Sequence, residues 1–521
     1  MTKRYVIAID AGTGSGRAIV YDMDGNVAGM AQEEWVHPTV DGVPGGLDFA
    51  TGPNGELIDR VIGAALQKAG LKGDDIAAVA ATSMREGFVL YDKSGQPIWA
   101  CPNVDSRAST QADLLAESGD ADRIYRTAGD WVSITAPARL LWIKENRPEI
   151  YRRASRMGML SDWIATRLSG VYATEPTAGS SSALFDLAKR DWSEELLSIV
   201  DFDPSMVPAV SEPGTTIGSV TQEAAKRTGL AQGTPVVTGG GDTQLALLGL
   251  GQRGGDATLV GGSFWQMTIL SDRPLIDPDF APRTLCHARP DEWMTEGIGF
   301  LSGFTLRWLR DAFFEPLRSA FGGTASAFDI MEEFAARQPP GANGVIATTA
   351  NPMQSDAWKH PALGFAGFDI NQPDMALGSA VRSVMESAAY LASTHLGVLE
   401  KLSGKSYEKL HFTGGSSQSP VWSQIVADVT GRPVDIPSVK ETTALGAAML
   451  AATGAGLFAS LDEAVAAMSS PIERSLEPNK ENHEFYRGEQ ERWRAVSAAS
   501  FDLAENGTLA PLWTPAGARK D

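Results

Sequence analysis

Two aspartates stand where a carboxylate could meet a phosphate. Asp10 lies in IAIDAGTGSGRAIVYD (7–22), where an apolar run leads into it, Ala11–Gly16 are glycine or small, and Arg17 follows. Asp242 lies in GGGDTQ, directly after three glycines. Glycine lets main chain approach an anion closely, and Thr13 and Ser15 add hydroxyl donors. The first stretch therefore reads as a hairpin whose tip offers N–H groups to phosphates, with Asp10 reaching a magnesium ion. An ordinary turn is the rival reading, but a two-residue turn does not need a long glycine-rich tip bracketed by acid and base. Asp242 has a rival too, since aspartate is a favoured helix N-cap.

Other nucleotide signatures fail. The lone Gly-Lys-Ser, 404–406, has Leu399 where a P-loop needs its first glycine. A dinucleotide fingerprint needs a helix after its glycines, whereas RAIVYD and a turn follow here. Two more glycine clusters, GGSFW (261–265) and GGSSQS (414–419), sit at strand ends and complete a clamp-like set. In SMREGFVLY (83–91), Arg85 and Glu86 can donate to and accept from adjacent hydroxyls, as a sugar-like ligand requires. A surface ion pair is the alternative, for them and for Asp105 with Arg107. HEFYR (483–487) lacks the second histidine of a zinc-protease helix, and no G-x-S-x-G elbow occurs.

These residues need strands to carry them. Tyr5–Ile9, Ala18–Tyr21 and the segment after DMDGN read as three strands, followed by a helix with Leu57, Val61, Ile62 and Leu66 at helical spacing and Gly70 as its stop. IAAVAATSM is a buried strand, and GFVLYDKSGQPIWA a hairpin. From Thr234 the chain begins to repeat the plan: TPVVTGGGDTQ is read as the opening of that second round, facing the first loop across a cleft. ATLVGGSFWQMTIL follows as strand, turn, strand, and KLHFTGGSSQSPVWSQIVADVTGRPVDIP as strand, turn, helix, strand. Ser419 is the expected N-cap with Pro420 after it. ETTALGAAMLAATGAG (441–456) is a helix of small residues suited to close approach.

The chain has 521 residues, too long for one ordinary core, and the join between domains is placed near 245–257. A net charge of −20 disfavours nucleic acid and anionic membrane as partners. Two cysteines build no disulfide framework, and no apolar window approaches the ~18 residues of a membrane span. A cytoplasmic location is expected, and Pro515–Asp521 is the expected frayed end.

DAGTGSGR, GGGDTQ, GGSFW, FTGGSSQS and PARLLWIKEN (137–146), in that set and spread from Tyr5 to Leu457, resemble the FGGY carbohydrate kinases. The resemblance implies an α/β, two-domain actin/hexokinase/Hsp70-like ATPase fold with ribonuclease H-like repeats and a ligand cleft between domains 1–250 and 251–521. It implies ATP and Mg2+ as cofactors, with Asp10 at the metal and Gly12, Thr13, Ser15 and Arg17 at the phosphates. Gly262 and Ser263 would form a second phosphate loop, and Gly414, Gly415 and Ser419 would lie near the adenosine. Asp242 would be the catalytic base, while Arg85, Glu86, Asp105, Asp242 and Thr243 would bind the acceptor. The chain departs from the family pattern at Ser263 in place of threonine, at Arg139 in place of lysine, and at Thr243 after the base.

Within the family, ACPNVDSRA, SMREG, GGSFWQ and RLLWI most resemble members that phosphorylate the terminal hydroxyl of open-chain 4,5-dihydroxy-2,3-pentanedione, the autoinducer-2 signal; xylulose or another polyol is the alternative acceptor. The implied partners are that small molecule and ATP, with a homodimer left open. An ATP-driven clamp on a protein partner and a non-catalytic sugar sensor are the readings from other classes. At an ordinary pKa of ~3.9, Asp242 would be a weak base acting mainly by orientation.

Overall fold

The computed structural model describes residues 4–299, 302–322, 324–348, 363–439 and 441–510. The expected frayed end lies outside them. Thirteen strands form the two main sheets: β1 (Tyr5–Ala11), β2 (Ser15–Tyr21), β3 (Val27–Glu34), β4 (Ile76–Ser83), β5 (Thr216–Ser219), β6 (Pro235–Gly241), β7 (Ala257–Gly261), β8 (Trp265–Ser271), β9 (Arg283–Cys286), β10 (Trp293–Gly299), β11 (Leu410–Thr413), β12 (Val434–Pro437) and β13 (Ile472–Leu476). The first sheet runs β5-β6-β4-β1-β2-β3 and the second β9-β10-β8-β7-β11-β12-β13. Each contains an antiparallel meander joined to parallel strands, in the matching orders β3-β2-β1-β4-β6 and β10-β8-β7-β11-β12. The chain is thus built from two copies of one plan.

That pairing corrects one expectation. The strand leading into Asp242 does not open the second round; β6 lies parallel to β4 and completes the first sheet. Asp10 and Asp242 therefore project from the same sheet, at the ends of β1 and β6. The second round starts at β7.

β1 is apolar from Val6 to Ile9 because both its faces are covered. Ile7, Ile9 and Ala11 pack on helix α1 (Thr51–Ala69), against Ile58, Val61 and Ile62. Val6 and Ala8 face the other way, onto Ala444–Ala452 of helix α2 (Thr442–Gly454). α1 ends at Gly70 in the left-handed conformation, as its spacing foretold. The helix Pro420–Thr430 is capped by the Ser419 hydroxyl, which accepts from the Trp422 N–H at 2.9 Å, and it stops at Gly431.

α2 comes between β12 and β13 of the second sheet in sequence yet lies under the first. It crosses the helix Asp242–Gly249 with glycine on both sides: a Cβ on Gly446 would collide with the Leu245 carbonyl, and one on Gly249 with the Thr442 carbonyl. Small residues bring two main chains together here, as the composition of 441–456 implied. The Thr443 hydroxyl donates to the Asp242 carbonyl oxygen at 3.2 Å, which ties the two helix starts together. The Gly-Lys-Ser at 404–406 marks the C-terminal end of the helix Ala376–Ser403, a setting unlike a P-loop.

Candidate active site

Asp10 and Arg17 are directly opposite each other in the β1–β2 pairing, so their side chains share a face. Arg17 Nε lies 3.2 Å from Asp10 Oδ2, and its Nη1 reaches Glu441 Oε2 at the start of α2. The Tyr21 hydroxyl donates to the Glu441 carbonyl oxygen at 3.3 Å. Asp10 is buried, and its Oδ1 has no hydrogen-bond partner. Burial pushes its pKa up to about 7; Arg17 opposes the rise, and the charges of Asp242 and Glu441 add to it. A buried carboxylate with a free oxygen and acidic neighbours is a fit donor for a hard cation. Magnesium takes one or two carboxylates and leaves its other positions to phosphate and water, so the single free Asp10 oxygen fits its needs.

The β1–β2 tip is anchored through its carbonyls. Trp35 Nε1 donates to those of Gly12 and Thr13 at 3.1 and 3.2 Å, and His37 Nε2 lies 2.6 Å from the latter. The Thr13 hydroxyl donates to Asn103 at 3.3 Å, and the buried Ser15 hydroxyl accepts from Gln32 at 3.2 Å. Packing explains Gly16, where a Cβ would strike Trp35, Leu57 and Ile58. Packing does not explain Gly14, where a Cβ would meet nothing within 4 Å. That bare position leaves room for something other than protein.

In the second sheet, the β7–β8 turn and the loop after β11 line one cavity of about 670 Å³. Gly262, Ser263, Gly415 and Ser419 are on its wall, together with Arg307, Arg310, Phe328 and Glu332. Its size is within the range of small-ligand sites. Arg307 donates to the Ser263 hydroxyl at 3.2 Å, and Ser419 donates to Glu332 at 2.5 Å. Gly414 stands one layer back: its φ is +89°, and it packs on the Gly261 main chain, joining the two loops.

The residues expected to bind the acceptor are buried charges, not a surface pair. Arg85 and Glu86 follow β4 and are 5% and 4% exposed. Arg85 Nε lies 3.4 Å from Asp242 Oδ1, and its Nη1 lies 2.7 Å from Glu296. Glu86 is 2.7 Å from Arg283, a tighter contact than the 3.9 Å to its neighbour Arg85. Glu86 has φ +62°, a conformation that costs a non-glycine residue energy, and Arg139 Nη1 holds its carbonyl oxygen at 2.7 Å.

Asp105 is fully buried behind this turn. Its carboxylate takes Arg107 at 2.8 Å and the Leu47 N–H at 2.9 Å, while its carbonyl takes Arg139 at 2.6 Å. Its visible action is on Arg139, and through it on Glu86.

Asp242 is the first residue of its helix, with Gly241 as the cap position and no side-chain cap bond, so the capping reading fails. The carboxylate keeps 38% side-chain exposure and accepts from its neighbour's N–H at 2.7 Å and the Thr243 hydroxyl at 3.3 Å. Its pKa is raised above the ordinary value, first by burial and then by Glu86 and Glu296, with Arg85 and the Thr243 N–H opposing. The expectation of an unperturbed aspartate is corrected: burial and its acidic neighbours raise its pKa.

Glu441, Arg283, Glu296 and Asp130 were not picked out from the sequence. Glu296 alone carried a signal, a lone charge inside the otherwise uncharged strand WMTEGIG.

The N- and C-terminal domain models of the FGGY family of carbohydrate kinases match residues 5–249 and 259–455. The chain belongs to the FGGY family of carbohydrate kinases. This FGGY kinase is 40% identical over 522 residues to the autoinducer-2 kinase of Enterobacter sp. (strain 638), covering 98% of each chain. It is also 40% identical over 519 residues to that of Salmonella typhimurium, again covering 98% of each. In fold it matches the xylulose kinase of Rhodospirillum rubrum (TM-score 0.84, 24% identity, 96% of this chain and 100% of the other) and the gluconate kinase of Lactobacillus acidophilus (0.85, 20%, 96% and 99%). The FGGY kinase thus has the two-domain α/β sugar-kinase fold and is an ATP-dependent carbohydrate kinase.

Proposed function

We propose that the enzyme transfers the γ-phosphoryl group of ATP to the primary hydroxyl of open-chain 4,5-dihydroxy-2,3-pentanedione, giving the 5-phosphate of the autoinducer-2 quorum-sensing signal. The placement of Asp242 carries the chemistry: one half-exposed carboxylate lies within Coulombic reach of Asp10 on one side and 3.4 Å from Arg85 on the other. The names and full-length coverage of the relatives carry the choice of acceptor.

In this reading Gly262, Ser263, Gly415 and Ser419 hold the nucleotide in the 670 Å³ cavity, with Gly414 setting the loop. Gly12, Thr13, Ser15 and Arg17 face its phosphates. Asp10 would hold magnesium, which offsets phosphate charge when bound. Arg85 and Glu86 fix the acceptor hydroxyls, Asp105 acts behind them through Arg139, and Thr243 orients the base.

Asp242 takes the proton of the primary hydroxyl as its oxygen bonds to the γ-phosphorus and the bond to ADP breaks. The transition state is loose, so positioning and charge supply most of the effect and the proton moves late. A kinase of this kind draws on the cytoplasmic ATP pool, and the cytoplasm is its proposed location. The test is ADP release with Mg·ATP against a panel holding the pentanedione, xylulose, gluconate and glycerol. Preference by kcat/KM for the pentanedione supports the reading, and preference for xylulose replaces it.

A further inference from the structure

Behind the acceptor residues lies a buried charge cluster drawn from both halves of the chain. Arg283 on β9 and Glu296 on β10 are directly opposite each other in the sheet register, with Arg283 Nε on Glu296 Oε1 at 2.5 Å. The same Glu296 oxygen accepts from Arg85 Nη1 at 2.7 Å. Arg283 Nη1 lies 2.7 Å from Glu86 and 3.3 Å from Asp130, whose other oxygen takes the Trp131 N–H at 2.8 Å. Arg283 is 2% exposed and Glu296 fully buried.

We propose that Arg283 and Glu296 are positioning residues for the phosphoryl acceptor, holding Arg85 and Glu86 in the arrangement that receives its hydroxyls. The proposal rests on the reading of Arg85 and Glu86 as acceptor-binding residues. Arg85 and Glu86 come from the turn after β4 of the first sheet, and the pair that holds them comes from the second. The acceptor site is therefore complete only when the two halves are together.

The physical reason is the cost of a buried charge without a partner. Arg85 has Glu296 and Asp242 as its close carboxylates, and Asp242 must be free to turn to the acceptor's hydroxyl. Glu296 lets it do so without leaving the guanidinium unpaired. Glu86 has the same relation to Arg283: its strained backbone is fixed by Arg139, and its carboxylate is fixed by Arg283. Arg85 is thus held at its Nη1 and Glu86 at its Oε1 by side chains of the second sheet.

Three variants test this in the full-length enzyme, with Mg·ATP and the acceptor that the panel selects, the pentanedione or xylulose. Glu296→Gln keeps shape and one acceptor oxygen but loses the charge, and Arg283→Lys keeps the charge but loses the two-armed grip. For both, the acceptor KM should rise about tenfold or more, with the KM for ATP within about twofold of wild type. Parallel rises in both KM values, or none, would overturn the proposal. Arg85→Ala is run beside them. If it leaves the acceptor KM unmoved, the acceptor reading itself is wrong. If it raises that KM and neither Glu296→Gln nor Arg283→Lys does, only the positioning role falls. Should Glu296→Gln fail to fold, Arg283→Lys alone decides.

Discussion

Arg17 and Glu441 lie 424 positions apart and form an ion pair at 2.5 Å, joining a strand of the first sheet to the helix that connects β12 and β13 of the second. Arg17 also faces Asp10, so one guanidinium is shared between a candidate metal ligand and the opposite half of the chain. If Arg17 is to meet phosphate, Glu441 competes with that phosphate. Glu441→Gln should therefore tighten ATP binding a few-fold, seen by calorimetry with Mg·ATP. The cost to the free protein should stay below about 1 kcal/mol, because the pair is partly exposed. Binding that weakens as much as it does in Arg17→Ala would place Glu441 on the ligand side instead.

Asp242→Asn should separate chemistry from binding. The amide keeps the oxygen that accepts from Thr243 but cannot take a proton. Turnover should fall about 10²- to 10⁴-fold, with nucleotide affinity near wild type. Single-turnover quench and ADP calorimetry measure the two separately. Wild-type turnover in the variant would remove Asp242 from the mechanism.

Gly446 makes a structural prediction. A methyl added there meets the Leu245 carbonyl, which is main chain and cannot swing aside. Gly446→Ala should cost about 1–3 kcal/mol by overpacking, read from chemical denaturation. Gly14→Ala, in open space, should leave stability alone and weaken Mg·ATP if the tip faces phosphates. An unchanged nucleotide affinity in Gly14→Ala would take the tip out of the phosphate site.

What could be read from the sequence was local. The hairpin that sets Asp10 opposite Arg17, the helix stopped by Gly70 and the Ser419 cap each depend on residues within a few positions of one another. Strand pairing between distant segments carries no such mark. That is why 234–241 read as the start of a second round when it pairs with β4. The same reason hid Glu441, Arg283 and Glu296. Each is a single charge whose meaning comes from a partner far along the chain. For Asp105 the neighbour Arg107 was visible in the sequence, but its complete burial and the contact of its carbonyl with Arg139 were not.

Glu386 supplies a pH dependence that is independent of the candidate active site. It is buried on the helix Ala376–Ser403, and its Oε1 accepts from Arg382 at 2.8 Å, the Tyr486 hydroxyl at 2.8 Å and the Gly341 N–H at 3.0 Å. Burial outweighs these contacts and raises its pKa from 4.5 to about 7. The folded state then holds the proton more tightly than the unfolded chain. The stability this group contributes is complete below pH 4.5 and is lost as pH rises through about 7, falling by about 1.4 kcal/mol for each pH unit between the two. Asp10, Asp130 and Glu175 are raised to about 7 as well, so the wild-type slope is a sum. Glu386→Gln isolates one share of it, because a glutamine oxygen can keep all three donors. Denaturation at pH 5, 6, 7 and 8 should show wild type losing more stability than the variant between pH 5 and 8. Parallel curves would mean that Glu386 is already ionised in the folded protein at pH 5, with Arg382 outweighing the burial.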